Sequence, residues 1–313
     1  MMRINLSLLG CVAATAFMIG CGGGGSNISI KNIFIVDASN NRIVNFTGMA
    51  GANWQTFGTA GNGAGQFNVP LGIARDSTGR IYIADLLNHR IIRIDDMSGA
   101  GWVSFGSNGN GVNQFNQPNS VFVDSSNNIY VSDTGNDRIA RFTSMTGTGW
   151  TTFGSNGAGV NQFDEPTGIF VSAGGVITIC DSTNDRLVRI TNMSGAGWTT
   201  FGTSGNGVNQ FSYPIGVYVA SDGKIVVGDF SNQRVVHFDD FAGTNWTVVP
   251  GAFGQPRGVW KDSEGKIYVC GFNGVNRIGR VDDATGANFV SFGTNGNGVN
   301  QFQNPSAIWI TEL

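Results

Sequence analysis

A chain of 313 residues with 41% hydrophobic and 12% charged content can bury a substantial core, which excludes an intrinsically disordered polymer. Its 18 Lys and Arg against 21 Asp and Glu give a formal net charge of −3 and a pI near 5.3, so composition offers no general basic surface for nucleic acid. The 48 glycines point to many tight turns, and length alone suggests two domains unless a repeat overrides that expectation.

Residues 1–21, MMRINLSLLGCVAATAFMIGC, combine Arg3 with an apolar stretch from Leu6 to Ile19 and a small residue before Cys21, the pattern of an export signal. Met18-Ile19-Gly20-Cys21 resembles a bacterial lipoprotein cleavage box, in which Cys21 becomes the lipidated N-terminus of an exported, membrane-anchored protein. Leu8-Leu9-Gly10-Cys11 fits the box locally but follows too short an apolar stretch. Residues 22–31 begin with GGGGS and read as a flexible tether, leaving 32–313 as the folded domain.

In that domain Pro70, Pro118, Pro166, Pro214, Pro256 and Pro305 recur at spacings of 48, 48, 48, 42 and 49 residues. One unit predicts four strands, Ile73 to Asp76, Ile81 to Ala84, Ile91 to Ile94 and Trp102 to Phe105, separated by turn residues. The second-strand element appears six times, and the first-strand element follows each of the six prolines. The chain starts at a second strand, Ile33 to Val36, and ends with a first strand, Ala307 to Ile310. The ends therefore complete one blade between them. This predicts an all-β fold, a six-bladed β-propeller of four-stranded blades, monomeric and closed by its C-terminal strand. Cys180 and Cys270 share one second-strand slot in non-adjacent blades, which predicts free, packed thiols.

A polar signature follows the second strands: Asp37, Asn40 and Arg42; Asp85, Asn88 and Arg90; Asp133, Asn136 and Arg138; Asp181, Asn184 and Arg186; Asp229, Asn232 and Arg234. The sixth copy keeps only Arg277, in CGFNGVNR. With the preceding PxGI and DxxGxIYVAD and the following RIxR, this resembles the NHL repeat family of propellers over most of residues 27 to 313. Asp and Asn suit turns and Arg can pair with a carboxylate, so five near-identical copies read as scaffold. The connections of the type FGSNGNGVNQFNQP are nearly free of carboxylates, which argues against calcium. They also lack a phosphate-loop motif. Phe67, Phe115, Phe163, Phe211 and Phe302 are expected to plug the interblade core. Trp54, Trp102, Trp150, Trp198 and Trp246, with Phe289, are expected to pack on the outer strands.

Function is sought where repeats differ. The second-to-third loops and the interblade connections share one face, and a tether entering at a second strand leaves that face pointing away from a membrane. The short connection TVVPGAFGQP is expected to leave a notch there, with Phe230, Gln233, Arg257, Phe272 and Asn273 around it and Leu86, Leu87 and His89 across the ring as candidate contacts. The resemblance implies two other classes, RNA binders and metal-dependent lyases or lactonases. Acidic charge and export argue against the first. Only two histidines, His89 and His237, and carboxylate pairs on outer hairpins argue against the second. The sequence thus predicts a non-catalytic scaffold for a protein, peptide or glycan, with no catalytic residue, metal ligand, cofactor or nucleic acid; the alternative is a lyase or hydrolase with an axial metal.

Overall fold

The computed structural model describes residues 31–312; Cys21, the expected export signal and most of the expected tether lie outside them. The prolines mark the innermost strands of six antiparallel four-stranded sheets arranged as a propeller. In blade two the strands are Pro70–Arg75, Ile81–Asp85, Arg90–Ile94 and Val103–Phe105, from axis to rim. The inner strand begins at the proline and ends before Asp76, earlier at both ends than its apolar pattern suggested. Proline has no N–H to donate, and the register slips between Pro70 and Gly72, so the strand starts with a bulge beside the axis. Small residues follow because the inner strands crowd there: a Cβ on Gly258 would stand 2.8 Å from Ala307 Cα.

Blade one is made from both ends of the domain. Pro305–Glu312 pairs antiparallel with Lys31–Asp37, which continues to Arg42–Thr47 and Ala52–Phe57. The strand begins at Lys31, one residue before the expected tether boundary. Lys31 is buried beside Asp262 (3.6 Å), Glu264 (3.2 Å) and Glu312 (2.8 Å), so the clasp is also an ion cluster. Among the described residues the only helical elements are three short 3-10 turns, and no helix is long and apolar enough to cross a membrane.

Core clusters span neighbouring blades because both faces of each sheet are covered. The connections also form short parallel pairings such as Thr59–Ala60 with Gln66–Phe67, which alternation along the chain did not reveal. Phe67, Phe115, Phe163, Phe211 and Phe302 are fully buried, and the tryptophans lean on them, as Trp102 does on Phe67 at 5.7 Å. The short connection supplies its own plug: Phe253, three residues before Pro256 as Phe67 is before Pro70, is buried against Phe289 at 5.6 Å. Cys180 and Cys270 are buried free thiols, and burial pushes both up from the ordinary thiol range.

Candidate functional site: the mouth of the axial channel

The signature aspartates are hubs. Asp85 Oδ1 accepts the Asn68 N–H (2.7 Å), while Oδ2 accepts Asn88 Nδ2 and Arg90 Nε, both at 2.8 Å. The Asn88 amide also donates to the Gly61 carbonyl, and Arg90 donates to the carbonyls of Asn62 and Gln66. Asparagine is therefore a donor here, where its turn preference had suggested an acceptor. The same pattern surrounds Asp37, Asp133, Asp181 and Asp229 through Arg42, Arg138, Arg186 and Arg234 at 2.7 Å and through Asn40, Asn136, Asn184 and Asn232. Burial pushes all five carboxyls up, against the downward pull of these donors. Each hub ties a blade to the preceding connection, and that at Asp37 holds Gln303 N–H at 2.6 Å, reinforcing ring closure.

Blade six lacks the carboxylate. Its second strand carries Gly271, where a Cβ would lie 2.6 Å from the Phe253 carbonyl. The shortened connection therefore occupies the space an aspartate would need. Arg277 is left with one long contact to Ala252 O (3.4 Å), and its Nε is buried without a partner.

This irregular sector assembles part of the candidate set. The Arg257 guanidinium lies 5.3 Å over the Phe272 ring and donates across the channel to Asn119 Oδ1 at 3.2 Å. Phe272 meets Phe230 at 5.9 Å, and Phe230 meets Tyr213 at 6.4 Å. The Tyr213 hydroxyl donates to Glu165 Oε2 at 2.6 Å. Among the described residues no carboxylate forms an ion pair with Arg257; burial lowers it to about 10, so it remains cationic at neutral pH. Tyr213, Glu165 and Asn119 were missed because each fills a repeat slot beside a proline, and only comparison of those slots around the axis marks them.

The other candidates lie elsewhere. His89 Nδ1 accepts the Gln117 N–H at 3.1 Å, the same strut between blades that Asn41, Asp137 and Asp185 make to Val69, Glu165 and Tyr213. Leu86 and exposed Leu87 belong to the same blade-two turn. Gln233 and Asn273 are left-handed loop positions (φ 53° and 46°), and Asn273 N–H donates to Asn304.

Below the mouth the channel is narrow, about 80 Å³. Phe122, Phe170, Tyr218, Trp260 and Trp309 form a closed series of ring contacts, from 4.7 to 6.1 Å, with Ala74 in the sixth slot. That volume is well below the roughly 300–1,000 Å³ of ordinary small-molecule sites. Among the described residues no three His, Cys, Asp or Glu side chains converge to hold a metal. His237 is buried in the third strand of blade five, paired across from Thr247, and His89 is committed to its strut. These residues do not fit an axial metal centre.

Six radial sheets around an axial channel, closed by a shared blade, define a β-propeller. The NHL repeat model matches residues 67–94, 115–142 and 211–238, each from a plug phenylalanine to the end of a third strand, so the chain carries NHL repeats within a six-bladed β-propeller. No curated protein sequence matches the chain significantly. Among solved structures, that of a nidogen/laminin complex is similar with a TM-score of 0.69 and 16% identity, covering 90% of this chain and 98% of that one. Virginiamycin B lyase from Staphylococcus aureus, solved with quinupristin, is similar at 0.56 and 18%, covering 78% and 77%. A protein of unknown function from Bacteroides caccae gives 0.60 and 12%, covering 90% and 98%. These likenesses show the fold.

Proposed function

We propose that this chain is an exported, lipid-anchored binding propeller that holds a protein, peptide or glycan on its polar-loop face without chemistry. The observation that carries the reading is the cluster at the channel mouth: a cation without a carboxylate partner among the described residues, walled by Phe230, Phe272 and Tyr213. Aromatic walls and a partly desolvated arginine are the residue types that dominate binding energy at interfaces. The channel beneath admits no more than a single protruding group, which favours a ligand lying across the face with an acidic or carbonyl-bearing tip over Arg257. A binding role is also in keeping with the nidogen/laminin complex among the similar structures, while the absence of a convergent donor set among the described residues weighs against the metal-lyase alternative.

Residues 26–313 displayed against random peptides and a glycan array should retain ligands whose affinity falls at least tenfold in Arg257→Met and in Phe272→Ala. The rim variant Val248→Thr should bind normally. Retained ligands indifferent to both mouth variants would overturn the reading. Anchoring is tested separately by metabolic labelling with palmitate, which Cys21→Ala should abolish.

A further inference from the structure

On the opposite face, an aromatic ring from the second strand fills most of the spaces between blades. Phe34, Tyr82, Tyr130 and Tyr268 take this position, and the three tyrosine hydroxyls donate to Asp76, Asp124 and Asp262 at 3.1–3.2 Å. Blade four has neither partner: Thr178 stands in the tyrosine slot and Ser172 in the aspartate slot. Blade five also lacks the pair, but there Val226 is fully buried in the core shared with blade six, and Tyr218 packs on Trp260 at 4.7 Å. Between blades four and five a cleft of about 560 Å³ remains, lined among others by Phe170, Thr178, Arg189, Tyr218, Ala220 and Phe241. Its size falls within the roughly 300–1,000 Å³ range of small-molecule sites.

Arg189 gives the cleft its chemistry. The equivalent arginines are engaged: Arg93 lies 3.9 Å from Asp95, Arg141 donates to Asn128 at 2.6 Å, and Arg280 pairs with Asp282 at 3.1 Å. Two residues on, blade four carries Thr191, as blade three carries Thr143, and Val176 takes the place of the Asn128 that engages Arg141; among the described residues Arg189 makes no ion pair or side-chain hydrogen bond. Its guanidinium instead lies 4.4 Å over the ring of Phe241, which replaces the methionine found at Met97, Met145 and Met193. A guanidinium stacked by its face keeps its N–H edge available for a bidentate carboxylate.

We propose that this cleft is a second binding site, separate from the channel mouth, for a small organic anion: an apolar body seated against Phe170 and Tyr218, with one carboxylate on Arg189. Three departures from the repeat produce it together. The missing ring makes the volume, the loss of both the acid and the amide partner frees the cation, and the added Phe241 ring holds that cation flat against the wall.

The test is calorimetric titration of the folded chain with 1-naphthoic acid and with neutral 1-naphthalenemethanol. Naphthoate is expected to bind one to one and at least tenfold more tightly than the alcohol. The double variant Ser172→Asp with Thr178→Tyr, which restores the pair of the other blades, should weaken naphthoate at least tenfold, and Thr178→Leu should do the same by filling alone. Arg189→Met should remove the preference for the acid, whereas Arg257→Met should leave both affinities unchanged. Circular dichroism identifies the variants that fold. No binding to the unmodified chain, equal affinity for acid and alcohol, or undiminished binding by a folded, cleft-filled variant would each overturn the proposal.

Discussion

Blades three and six come from the same repeat and use one position in opposite ways. In blade three Asp133 gathers Asn136, Arg138 and the Asn116 N–H between 2.6 and 2.8 Å and locks the connection in place. In blade six the same position is Gly271, the connection presses its Phe253 carbonyl into the vacated space, and Arg277 loses its carboxylate. The regular blade uses its polar residues to hold itself together. The irregular one leaves Phe272 at the channel mouth beside Arg257. A buried hub is thus a scaffold device, and the binding surface proposed above gathers where the hub is given up.

The sharpest way to break this comparison is to remove one hub. Asp133→Ala strands a buried arginine and asparagine and should cost about 3–5 kcal/mol in urea denaturation. Arg277→Met, removing an arginine already without its acid, should cost under about 1 kcal/mol. Equal losses would show that the sixth blade is held in the same way as the third.

Restoring the signature should fail. Gly271→Asp forces a side chain against the Phe253 carbonyl and is expected to cost about 3 kcal/mol by overpacking, read from the same denaturation midpoint. A gain in stability would mean that the short connection yields easily and does not exclude the acid.

The clasp sharpens the comparison from another direction, because its ions join chain ends where the hubs join blades to connections. Lys31→Ala withdraws the ammonium from buried Asp262 and should cost about 2 kcal/mol, read by thermal unfolding. Glu312 is held at about 2, against an ordinary 4.5, first because Lys31 donates to it and then through Ser263. A depressed acid contributes stability that is complete above its unfolded value and is lost as pH falls through its folded one. The Glu312 contribution should therefore fade between about pH 4.5 and 2. In Glu312→Gln that part of the pH dependence should vanish.

Much of this was legible in the sequence because a repeat reports the same physics six times. The proline period gave blade number, and a terminal half-unit at each end gave closure. Phe253 was equally readable, three residues before its proline, but the shortened spacing hid it. The hub was anticipated as scaffold, although asparagine proved to donate, since a side-chain amide next to a carboxylate has only its N–H groups to offer. Among the candidate contacts, His89 became a strut because its left-handed loop position aims the ring at the next blade's N–H. Residues such as Tyr213 and Glu165 gave no local signal, being 48 positions apart in sequence and neighbours only around the axis.

The sequence by itself determined the blades, their number, their closure and the polar hubs, because each depends on contacts that recur at a fixed period. Tertiary structure alone decided what the departures from that period do. Arg257 meets Asn119 across 138 residues, Phe272 finds Phe230 from the adjacent blade, and Thr178 opens a cleft that Arg189 and Phe241 line from facing sheets. Both proposed sites arise from the space left when one copy of a repeat omits what others supply. That space exists only between packed blades, where the side chains that border it come from different units of the chain.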